Sequence, residues 1–141
     1  MSILSKKTGF TLMEIMIVVL VITILASAAI PYYKDYIERQ KAALGVTNLR
    51  MIADSVERYM ALHGETVPTN LTLLDADIDR SKLSYDRTSY DDGNFTFRIN
   101  NNAVIGVRNS GEYTLSFSLG DDSTLSCNSS DPDICSEKLG I

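Results

Sequence analysis

The strongest constraint in this sequence is an unbroken apolar run. Residues 15–30 carry no charged side chain, and Lys6 and Lys7 stand ahead of them. Extended to Tyr33, the run is long enough to cross a bilayer as a helix, which takes about 20 apolar residues. Two lysines before it and an acidic remainder after it place the N-terminus in the cytoplasm, because cytoplasmic flanks are the ones enriched in Lys and Arg. One residue breaks the pattern. Glu14 sits at the head of the run, and an ionised carboxylate in a membrane helix costs several kcal/mol unless it has a partner.

Three readings of this segment compete. It is an uncleaved anchor helix. Alternatively it is a secretory signal removed after Ala28, where Ala26-Ser27-Ala28 gives the small-residue cleavage pattern and a soluble binding domain would begin at Ala29. In the third reading the cut falls ahead of the run, between Gly9 and Phe10, and the hydrophobic helix stays on the mature chain. Glu14 separates them, since neither a plain anchor nor a discarded signal has a use for it. A cut at Gly9–Phe10 creates a cationic amine on Phe10, with Glu14 about 6 Å further along at 1.5 Å per residue. Within one rigid helix the two groups are poorly placed to meet. Between neighbouring helices offset along their axes, the amine of one can neutralise the carboxylate of the next, which makes Glu14 a mark of register between subunits.

The stretch KKTGFTLMEIMIVVLVITILASAAIPYYKDYI resembles the N-terminus of type IV pilins and of the pseudopilins of type II secretion. The matching residues are the basic leader, Gly9 before the cut, Phe10 as first mature residue, Thr11-Leu12 after it, Glu14 at the fifth mature place, and Pro31 with tyrosines beyond the run. Met13 is a mild departure where many members carry Ile or Leu. The resemblance implies a class III leader, residues 1–9, which a membrane prepilin peptidase removes before N-methylating Phe10. It implies a substrate of that enzyme and not an enzyme. Loss of Lys6 and Lys7 leaves 11 basic against 18 acidic groups, a formal charge of −7 instead of −5.

Downstream, Pro31 lacks an N–H and is expected to kink or unwind the helix. Lys34–Glu38, Asp35–Arg39, Arg50–Asp54 and Asp54–Arg58 are opposite charges at i,i+4. Leu49, Ile52, Val56, Tyr59 or Met60, and His63 form an apolar face, Gly45 is a weak point and possible second bend, and Gly64 stops the helix. A polar connection follows. Three strands then alternate apolar and polar residues around Phe95, Phe97 and Ile99, over Ala103–Arg108, and around Tyr113, Leu115, Phe117 and Leu119. The expected fold is therefore α+β and pilin-like: a hydrophobic transmembrane or filament-core helix over residues 10–33, its amphipathic continuation over 34–64, and an antiparallel sheet with outer loops over 65–141.

Cys127 and Cys135 stand close together near the C-terminus. With only His63 to complete a zinc site, an exported setting favours a disulfide, which would stabilise by roughly 2.6 kcal/mol in the chain-entropy account. Asp75, Asp77 and Asp79 have the alternate spacing of a calcium loop, but Arg80 and Asp86 hold the places that need Gly and Glu, so a solvated acidic loop is expected and no metal or other cofactor. Because some pseudopilins bind calcium, Asp121, Asp122, Asp131 and Asp133 form a second cluster to follow. His63 reads as a packing or capping residue, since no nucleophile accompanies it. Asn70, Asn94 and Asn128 begin sequons of the kind that occur by chance. The acidic charge and the absence of a basic patch argue against nucleic acid.

The expected role is structural. The chain waits in the inner membrane, held in lipid with its globular part in the periplasm, and the assembly machinery packs it into a homo-oligomeric extracellular pilus. A pseudopilin of a type II secretion system, forming a periplasmic fibre, is the alternative.

Overall fold

The computed structural model describes residues 9–120 and 123–141. Lys6, Lys7 and the other residues before Gly9 lie outside the described residues, as do Asp121 and Asp122. The chain divides into two compact units, Met1–Ile37 and Glu38–Ile141.

A single helix, α1, runs Leu12–Leu62. Its helical assignment continues through Pro31, where the missing N–H leaves the Ser27 carbonyl without its usual donor. The helix ends where Gly64 was expected to stop it. Gly64 and Glu65 both take positive φ, and Glu65 N–H donates to the Met60 carbonyl at 2.9 Å.

In the second unit, five strands form an antiparallel meander: β1 (Ser89–Asp91), β2 (Phe95–Asn100), β3 (Ala103–Arg108), β4 (Tyr113–Ser118) and β5 (Leu125–Ser129), adjacent in chain order. The three central strands match the sequence reading, and β1 and β5 extend it at both edges. The register sets Phe97 opposite Gly106, and Gly106 opposite Leu115.

The sheet's inner face supplies Phe95, Phe97, Val104, Tyr113 and Leu115. The helix supplies Ala42, Leu49, Ile52, Ala53 and Val56, spaced by three and four. The buried helical face begins at Ala42, seven residues before the first position expected, and fades at the half-buried Tyr59 and Met60. His63 is exposed, not on the apolar side. Its ring stacks on Tyr59 with centroids 4.0 Å apart, and its Nδ1 lies 2.8 Å from the Tyr59 carbonyl.

α1 continues unbroken through Gly45, which has a packing role that its low helix propensity does not reveal. A Cβ there would stand 2.7 Å from Cε2 of Phe95, so the glycine is what lets the aromatic ring lie against the helix backbone. The connection after the helix is less polar in role than in composition. Leu71 and Leu74 enter the core, and Arg58 holds Asp75 through two bonds of 2.9 Å.

Candidate functional site

Two places carry chemistry beyond packing. The first is the head of α1. Gly9, Phe10 and Thr11 precede the helix, and Thr11 is its N-cap. Glu14 N–H donates to Thr11 Oγ1 at 3.2 Å, while Glu14 Oε2 accepts from Thr11 N–H at 2.8 Å and from Thr11 Oγ1 at 2.7 Å. This reciprocal pair is a capping box, and Thr-x-x-Glu is its sequence signature. Glu14 thus has hydrogen-bond partners within its own subunit. Among the described residues its partners are neutral, so there the negative charge is hydrogen-bonded without being cancelled.

Below the cap, every large apolar side chain from Leu12 to Leu25, and Ile30 beyond, is between 48% and 81% exposed. The exposure surrounds the helix instead of leaving one stripe, which suits lipid or like helices and not docking on a sheet. The two hydroxyls of this stretch turn inward: Thr23 donates to the Leu20 carbonyl and Ser27 to the Ile24 carbonyl, each at 2.7 Å. By length and composition the helix can cross a membrane.

The second place lies in the globular unit. Arg108 closes β3 on the strand's inward phase and is 7% exposed. Its Nε donates to Glu38 Oε1 at 2.6 Å, Nη2 to Glu38 Oε2 at 3.2 Å, and Nη1 to the Asn94 carbonyl at 2.6 Å. Tyr113 Oη donates to the same Glu38 Oε1 at 3.0 Å, Lys41 Nζ stands 3.8 Å from Oε2, and the guanidinium lies 5.4 Å from the Phe95 ring centre. Burial pushes the Glu38 carboxyl up, but bonds from Arg108 and Tyr113 and the charges of Arg108 and Lys41 outweigh it, holding it below its ordinary value. Burial first, and Glu38 second, push the Tyr113 phenol well above the usual range. Glu38 therefore serves Arg108, not the Lys34 expected of it. Arg58 likewise turns to Asp75 instead of Asp54.

Comparison with known proteins bears on the first place. Residues 4–30 match the prokaryotic N-terminal methylation motif. The type IV major fimbrial protein FimA of Dichelobacter nodosus is 60% identical over 43 residues, 30% of this chain and 27% of that protein. A fimbrial protein of Pseudomonas aeruginosa is 36% identical over 76 residues, 54% of this chain and 49% of its own length. The chain thus spans between about a quarter and a half of the curated relatives it matches.

The other residues singled out from sequence fall as follows. Cys127 on β5 and Cys135 in the C-terminal helical turn Ile134–Leu139 form a disulfide, with Cα atoms 5.8 Å apart. The acidic stretch is dispersed into local duties: Asp75 takes Arg58, Asp79 caps the turn Arg80–Lys82 through Ser81, and Asp86 accepts from Ser84 and Thr88. Asp131 accepts from the Asp133 N–H at 3.1 Å. Among the described residues no three His, Cys, Asp or Glu side chains group as metal ligands. Asn70 is committed to capping the turn Leu71–Leu73, Asn94 is half-buried, and Asn128 is exposed on β5.

Proposed function

We propose that this chain is a structural subunit of a type IV pilus, made as a membrane-held precursor and assembled through its N-terminal helices into a filament. The carrying observation is the fully exposed apolar helix headed by a hydrogen-bonded but uncompensated carboxylate. In the precursor, lipid covers the helix. In the filament, the same stretch of neighbouring subunits replaces lipid, so apolar burial is conserved and not newly gained. Prepilin peptidase would cut between Gly9 and Phe10 and methylate Phe10, and the new amine would meet Glu14 of a neighbouring subunit. Pro31 is the position where the helix can bend or unwind during packing. The role needs no catalytic group and no cofactor. The globular unit would be periplasmic before assembly and extracellular after it. The fimbrial names of the relatives incline this reading to a pilus and away from a secretion pseudopilus.

The capping box shapes the test. Gln at N3 keeps the cap, because its carbonyl accepts as a carboxylate does, but it removes the charge. Glu14→Gln is expected to insert and be cleaved normally yet yield few filaments. Normal filament yield from Glu14→Gln, with loss only in Glu14→Ala, would assign Glu14 to capping alone. Intact mass of the native subunit should match a chain starting at Phe10 with one added methyl group. A chain starting at Ala29 would overturn the filament reading altogether.

A further inference from the structure

Beyond the apolar run, Tyr32, Tyr33 and Tyr36 are 79%, 65% and 56% exposed, and among the described residues their hydroxyls make no hydrogen bond. At 100° per residue the three rings fall within about 100° of arc on one side of the helix. We infer that these tyrosines are an interfacial anchor that seats the precursor against the lipid headgroups at the outer end of its span, fixing the depth of Glu14 at the inner end. The inference rests on the membrane-held precursor proposed above and adds what sets its depth.

Three observations support it. Residues 15–33 would span about 28 Å as a helix, close to the hydrocarbon thickness of about 30 Å. The tyrosines therefore arrive where hydrocarbon gives way to headgroups when Glu14 sits at the opposite boundary. Their chemistry fits that layer, since an apolar ring with a polar tip suits a zone that is oily on one side and wet on the other. The sequence also turns charged at once: Lys34 and Asp35 lie among the tyrosines, where the lysine stem can reach phosphate. Apolar residues at these three places would slide inward, and charged ones would hold no preferred depth. A carboxylate at a fixed height is what a cleavage and docking machinery in the same membrane can meet reproducibly.

The chain contains no tryptophan, so a single introduced indole reports its own depth. Full-length Tyr33→Trp and Val19→Trp would be reconstituted in phosphatidylglycerol–phosphatidylethanolamine vesicles, with bromine placed near the carbonyls or near the chain ends. Tyr33→Trp should be quenched at least about twofold more by the shallow bromines, and Val19→Trp more by the deep ones. Quenching of Val19→Trp with none of Tyr33→Trp would overturn the anchor while leaving the membrane reading intact. Absence of quenching in both would remove the membrane reading and the anchor with it. In Val19→Trp carrying Tyr32→Ser, Tyr33→Ser and Tyr36→Ser, the depth preference should fall by about half. An unchanged preference would show that the tyrosines do not set depth, and would also overturn the inference.

Discussion

Glu38→Ala removes the carboxylate that accepts from Arg108 and Tyr113. What remains for the guanidinium is the Asn94 carbonyl and the face of Phe95, in a position only 7% exposed. Breaking a buried ion pair by removing one partner costs about 3–5 kcal/mol. The Glu38 side chain is itself 27% exposed, so water can enter the vacated space, and the cost falls to about 2–3 kcal/mol. Native-state hydrogen exchange of the full chain in detergent micelles would read this directly. Protected amides of β2, β3 and β4 should exchange about 30- to 150-fold faster, a decade for each 1.4 kcal/mol. Replacing both partners, Glu38→Leu with Arg108→Met, should recover only part of the loss, because it removes the stranded guanidinium but still leaves the Tyr113 hydroxyl without its Glu38 acceptor. The pH dependence has a fixed sign. The Glu38 carboxyl is held below its ordinary 4.5, so its contribution is complete above that value and is lost as pH falls through the lower folded value. The gap between wild type and Glu38→Ala should close in acid. Exchange within threefold of wild type at neutral pH would refute the argument.

Gly45→Ala gains about 1 kcal/mol of helix propensity but drives a methyl against Phe95, where overpacking costs about 1–3 kcal/mol. Phe95 is fully buried and packed by Phe97 and Tyr113, so it has nowhere to go. A fall in Tm of several degrees is expected in a thermal melt, and a rise would refute the packing reading. Cys127→Ser with Cys135→Ser should speed exchange in β5 and the C-terminal turn while leaving β2 and β3 within a few-fold of wild type, since the bridge joins residues only eight apart. Asp75→Asn should leave the melt unchanged, because the Arg58–Asp75 pair is open to solvent. A clear loss of Tm would show that the pair holds Leu71 and Leu74 in the core.

The helix and the three central strands were legible because their apolar residues keep strict periods of 3.6 and 2. The edge strands were not. Ser89–Asp91 is three residues long, and Leu125–Ser129 offers only Leu125 and Cys127 to an inner face. The cluster of Glu38, Arg108 and Tyr113 joins residues 70 and 75 positions apart, beyond any local pattern. Half of it was nonetheless visible. Val104, Gly106 and Arg108 share one phase of β3, so an arginine stood on the core side of its strand and required a partner. Gly106 on that phase likewise signalled a large neighbour, which proved to be the Phe97 ring. The Thr11–Glu14 box is written out in the sequence as Thr-x-x-Glu ahead of an apolar run, a local signature that needs no tertiary contact. Gly45 was judged by propensity, while tertiary contact decided its role.

The box at Thr11 has a consequence for processing. A helix nucleus tends to grow toward both ends, and here Thr11 stands outside the helix and caps its first turn. The proposed Gly9–Phe10 bond lies just outside that cap, in chain that is already uncoiled. A hydrolase meeting this substrate need not melt a turn before reaching the peptide it severs. If the chain is cut there as proposed, the threonine that starts the helix would also keep the target bond available.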